Sequence, residues 1–122
     1  MAQYMLLLYN PVLDSPAAKG WQDELSKEEM AAQYARWTQY AQELKDAGAF
    51  VSNHGLKGPE AATTVRVRGG ETQVTDGPFA EVKEMLGGYF VIEAEDLDAA
   101  IAWAAKVPTA EWGSVEIRPV WG

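Results

Sequence analysis

The chain has 122 residues, 18 of them acidic and 10 basic, for a formal charge of −8, and 48% are hydrophobic. A chain of this size buries roughly two thirds of the surface it exposes when unfolded, so one domain spanning residues 1–122 is expected, with no metal or disulfide needed to hold its core. The absence of cysteine excludes disulfides and thiolate chemistry, and the acidic balance with scattered Lys and Arg argues against nucleic acid, whose binding needs clustered positive charge.

Residues 4–9, Tyr-Met-Leu-Leu-Leu-Tyr, are closed by Asn10 and Pro11 and read as a short strand apolar on both faces. This run is far below the roughly 20 residues that span a bilayer, and no basic segment precedes it as in a secretory signal, so a cytoplasmic protein with no membrane partner is expected. Asp14, Ser15, Pro16 and Gly20 mark a loop whose Trp21 is expected to fold back on the body. Ser26 and Glu29 form a capping box that starts a helix. Met30, Tyr34, Trp37, Ala41 and Leu44 recur at spacings of three and four, which predicts one core-facing stripe, and Gly48 ends the helix.

A second strand is predicted over residues 50–56. Val65 and Val67 alternate with Thr64, Arg66 and Arg68, Gly69-Gly70 turns the chain, and the alternation returns at Thr72 and Val74, so residues 63–75 read as a hairpin. A charged segment then leads to Gly87-Gly88. With no phosphate-loop spacing around it, this diglycine is expected to turn the chain tightly into an apolar strand over residues 89–92. Asp96 caps a second helix whose predicted inner stripe is Leu97, Ala100, Ile101 and Ala104, and Pro108 stops it. Residues 114–120 form a last alternating strand.

This order predicts an α+β fold: a ferredoxin-like antiparallel sheet with two helices on one face and an inserted hairpin. Two strands apolar on both faces leave a sheet face that the helices cannot cover. A second copy of the sheet is expected to cover it, giving a two-fold homodimer.

Among residues able to carry chemistry, Asp76 stands at a strand end before Gly77-Pro78. It reads either as a turn former accepting backbone N–H groups or as a general acid or base at the rim of a cleft. His54, the single histidine, carries the one side-chain type that titrates near neutrality, and reads either as a surface residue or as a partner of Asp76 in a shared cleft. Tyr9 and Tyr89 lie near the ends of neighbouring strands, where a hydroxyl can reach a pocket, and Arg118 either forms a surface ion pair or holds an anionic ligand. No His-x-His or Glu-x-x-His spacing suits a metal, so neither a metal nor a nucleotide cofactor is expected.

The block Asp76-Gly77-Pro78-Phe79, then Lys83-Glu84 and Gly87-Gly88-Tyr89, together with the opening residues 4–9 and the closing Glu116-Ile117-Arg118-Pro119, resembles the DGPF branch of the YCII-related proteins over nearly the whole chain. That resemblance implies a ferredoxin-like fold assembled as a dimeric α/β barrel. It also implies a cleft near Phe79, Lys83 and Glu84, and a link in some relatives to extracytoplasmic-function sigma factors. The founding members are thought to use a His and an Asp in a cleft. Two functions remain open at this level. One is a cofactor-independent enzyme moving protons on a small organic substrate, with Asp76 and His54 at its centre. The other is a non-catalytic dimeric module that binds a ligand or a protein.

Overall fold

The computed structural model describes residues 1–11, 26–77 and 84–122. Among the described residues, six strands, two helices and two single 3-10 turns follow one another: β1 (Ala2–Pro11), α1 (Lys27–Asp46), β2 (Phe50–Gly55), β3 (Thr63–Arg68), β4 (Glu71–Asp76), β5 (Glu84–Ala94), α2 (Leu97–Ala105) and β6 (Ser114–Pro119), with the turns at Pro59–Ala61 and Pro108–Glu111. The result is an α+β fold in which β2, β5, β1 and β6 form one antiparallel sheet in that order, while β3 and β4 pair as a separate two-stranded sheet. Among the described residues no helix is long and apolar enough to cross a membrane.

Local chemistry sets the helix ends. The Ser26 hydroxyl accepts the Glu29 N–H at 3.1 Å and the Asp96 carboxylate accepts the Ala99 N–H at 2.9 Å, each satisfying a backbone donor that the first helical turn leaves free. Gly48 takes φ +71° after α1, and Gly69 and Gly70 both take positive φ to close the β3–β4 turn.

The core lies on one face of the large sheet. Tyr4, Leu6 and Leu8 of β1 and Phe90, Ile92 and Ala94 of β5 meet Tyr40 and Leu44 of α1 and Ala100 and Ala104 of α2. Trp37 stacks on Phe90 with centroids 6.2 Å apart, and the Tyr40 ring meets Phe90 edge-on at 5.2 Å.

Three expected apolar faces are corrected. On α1, Met30 and Tyr34 are 59% and 76% exposed, and burial runs through Trp37, Tyr40, Ala41 and Leu44 instead. On α2, Leu97 and Ile101 are exposed, whereas Ala100 and Ala104, with Val107 just beyond the helix, are buried in the core. On the hairpin, Val65, Val67 and Val74 are exposed while Thr64 and Arg66 are half-buried. A side-chain period identifies an apolar stripe but does not supply the surface that covers it.

The diglycine is a further correction, since it lies inside β5 and neither residue has positive φ. The pairing passes from Leu8↔Gly88 to Tyr9↔Leu86, so Gly87 is the extra residue of a β-bulge. A Cβ on Gly87 would sit 2.3 Å from Asn10 Nδ2, and one on Gly88 would sit 2.8 Å from the His54 carbonyl oxygen. These glycines permit close strand approach rather than a turn.

Candidate functional site

The sheet face opposite the helices is built from the alternate residues of the same strands. Its register gives two rows: His54, Tyr89, Leu7 and Glu116 across β2, β5, β1 and β6, and beside it Ser52, Val91, Met5 and Arg118. Met5, Leu7, Tyr89 and Val91 are half-buried, whereas His54 and Arg118 are exposed. An apolar strip thus runs between polar groups at the two edges of the sheet.

At the β2 edge, His54 Nδ1 lies 2.9 Å from the Tyr89 hydroxyl, with the two ring centroids 5.7 Å apart. The contact depends on the glycine pair next along the strands, Gly55↔Gly88, because Gly88 leaves room for the β2 backbone at His54. An imidazole and a phenol in hydrogen-bond contact form a pair able to accept or release a proton together.

At the β6 edge, Glu116 accepts hydrogen bonds from the Tyr9 hydroxyl at 3.1 Å and from Arg118 Nε. The Arg118 hydrogen bond, then that of Tyr9, holds the Glu116 carboxyl below its ordinary range. Loss of hydration on burial, reinforced by the Glu116 contact, raises the Tyr9 phenol above its usual value. Nearby, the Ser114 hydroxyl donates to Glu84 at 3.0 Å and Trp112 Nε1 donates to Asn10 at 3.1 Å. Arg118 therefore takes the surface ion pair that was one of its two expected roles.

Asp76 is the last residue of β4, opposite Thr63, and belongs to the small sheet. The chain turns just after it: Gly77 takes φ +95°, its N–H donates to the Ala62 carbonyl at 2.8 Å, and its own carbonyl accepts the Thr64 hydroxyl at 2.7 Å. Among the described residues no hydrogen bond or ion pair joins Asp76 to His54. Glu84 opens β5, opposite Pro11. Phe79, Lys83 and the expected loop with Trp21 lie outside the described residues. Among those described, no cluster of three or more His, Asp or Glu side chains is placed to hold a metal ion.

Sequence reasoning missed Glu116 as the group joining Tyr9 to Arg118. Its signal was present, since residues two apart on a strand share a face. The His54–Tyr89 contact has no local signal, because only strand register joins residues 35 positions apart.

The YCII-related domain family matches residues 3–122, and the chain belongs to this family. An uncharacterised protein of Rhizobium meliloti (strain 1021) is 35% identical over 119 residues, covering 96% of this chain and 90% of that protein.

Proposed function

We propose that this protein handles protons on a small organic compound without a cofactor, using the open face of the four-stranded sheet and the His54–Tyr89 pair. The observation that carries this reading is the 2.9 Å contact between His54 Nδ1 and the Tyr89 hydroxyl, set beside the half-buried apolar strip of Leu7, Met5 and Val91. A substrate lying on that strip meets a proton-exchanging pair at one edge and the Tyr9–Glu116–Arg118 group at the other. The acid–base centre of this proposal is His54 with Tyr89 rather than His54 with Asp76, since only the first two are in contact.

The same face favours a homodimer. Its apolar strip has no helix over it among the described elements, and a second sheet laid across it would shield the strip and enclose the pair. The strand order β2-β5-β1-β6, with β3 and β4 between β2 and β5 in the chain, supports a ferredoxin-like sheet with an inserted hairpin. Its face-to-face assembly is the dimeric α/β barrel of the DGPF branch. A cytoplasmic location fits this reading.

Deuterium exchange tests the chemistry. In D2O the protein is expected to speed exchange at the carbon next to a carbonyl in small ketones and keto acids, and His54→Ala is expected to abolish the gain. If compounds bind the face but none exchanges, the second reading takes over. That reading is a non-catalytic binding module, linked in some relatives to sigma-factor regulation. It is favoured by the way Tyr9, Glu116 and Arg118 already satisfy one another, as groups of a recognition surface do.

A further inference from the structure

We infer that Tyr89 fixes the tautomer of His54, so that the site presents Nε2–H as a donor and selects small apolar compounds carrying a carbonyl or carboxylate oxygen. The inference rests on the proposed use of the open face and adds the class of compound it takes.

A neutral imidazole has one nitrogen that donates and one that accepts. Which is which follows from the hydrogen bond that either nitrogen makes. Here Nδ1 faces the Tyr89 hydroxyl at 2.9 Å. A phenol is a far stronger acid than the N–H of neutral imidazole, so the stronger of the two arrangements has the phenol donating and Nδ1 accepting. The ring proton then resides on Nε2. His54 is exposed on the edge strand β2, and among the described residues Nε2 makes no hydrogen bond. A free N–H at the edge of the face whose middle strands carry Leu7 and Val91 asks for a ligand with an acceptor oxygen on an apolar body, since a donor group there would leave both partners unpaired. In this arrangement Nε2–H is the acid toward the ligand oxygen, and the Tyr89 oxygen, once it passes its proton to Nδ1, is the group able to accept one in return; toward the tautomer itself Tyr89 is a positioning residue acting through His54.

The single histidine makes the tautomer directly observable in the full chain by long-range proton–nitrogen correlation NMR, recorded well above the imidazole titration range. The expected spectrum has an unprotonated Nδ1 and a protonated Nε2. In Tyr89→Phe the two nitrogens are expected to move toward the averaged values of free histidine. A wild-type proton on Nδ1, or a spectrum unchanged in Tyr89→Phe, overturns the tautomer assignment.

Acetophenone, benzoate and benzylamine then test the ligand class, the first two separating a neutral carbonyl from a carboxylate. At least one oxygen-bearing probe is expected to shift the Nε2 resonance saturably and to bind several-fold more weakly to Tyr89→Phe, while benzylamine leaves the resonance in place. A response to benzylamine alone, or to no probe, overturns the ligand class. Failure of deuterium exchange with tautomer and probe binding intact removes the proton-transfer proposal and leaves this inference standing.

Discussion

Tyr40 donates its hydroxyl to the backbone carbonyl of Trp103 over 2.9 Å, so a side chain of α1 supplies a hydrogen bond to the last turn of α2. Burial, and secondarily the charge of Glu43, pushes the Tyr40 phenol far above its ordinary range. Tyr40→Phe is expected to lower stability by about 1 kcal/mol in denaturant melts near neutral pH, since it leaves the Trp103 carbonyl without this donor. The folded phenol keeps its proton where the unfolded one ionises. Its contribution is therefore full below the unfolded value of about 10 and is lost as pH rises toward the folded one. The alkaline fall in stability should accordingly be shallower in Tyr40→Phe, and equal alkaline slopes would show that Tyr40 is not the group responsible.

Leu44 is fully buried against the sheet, whereas Met30, on the same predicted stripe, is mostly exposed. Leu44→Ala should cost about 3 kcal/mol through lost burial and the cavity left behind. Met30→Ala should stay within about 0.5 kcal/mol. Comparable losses in the two melts would mean that the first turns of α1 are covered after all.

Gly55 and Gly88 face each other across β2 and β5, yet they are not equivalent. A Cβ on Gly55 meets nothing within 4 Å, while one on Gly88 falls 2.8 Å from the His54 carbonyl oxygen, a backbone atom that cannot swing aside. Gly88→Ala is expected to destabilise by about 1–3 kcal/mol and to alter the His54 ring signals, whereas Gly55→Ala should do neither. Chemical denaturation and NMR of the two variants decide it, and a silent Gly88→Ala contradicts the strand spacing described here.

The carboxyl of Glu116 titrates below its ordinary range because Arg118 and then Tyr9 hydrogen-bond to its charged form. A depressed carboxyl stabilises the fold above its unfolded value and loses that contribution as pH falls through the folded one. Carbon-detected NMR titration should show the Glu116 midpoint rising in Arg118→Gln, and rising less in Tyr9→Phe. The reverse order would make the phenol the principal partner.

Light scattering coupled to size exclusion should report twice the chain mass of 13.4 kDa. Leu7→Glu, placed in the middle of the apolar strip, should shift the species toward monomer while circular dichroism stays native. A wild-type monomer at micromolar concentration removes the face-to-face assembly.

Much of this fold was legible because its determinants are local. Ser26 and Asp96 cap helices, and Gly69-Gly70 closes a turn, through hydrogen bonds and dihedral preferences that span only a few residues. The short apolar runs at residues 4–9 and 89–92 likewise marked two strands, which lie side by side at the centre of the sheet.

What the sequence by itself determined was the order of helices and strands, the helix caps and the family, because each depends on short-range chemistry or on a motif, whereas the strand expected over residues 89–92 in fact runs Glu84–Ala94. Only the tertiary structure decided which apolar stripes are covered: Trp37 and Leu44 but not Met30, Ala100 but not Leu97, and none of the three hairpin valines. It alone joined His54 to Tyr89 and Tyr9 to Glu116, across 35 and 107 positions. Burial and cross-strand contact are properties of paired surfaces, and a one-residue change of register would send each of these side chains to the opposite face.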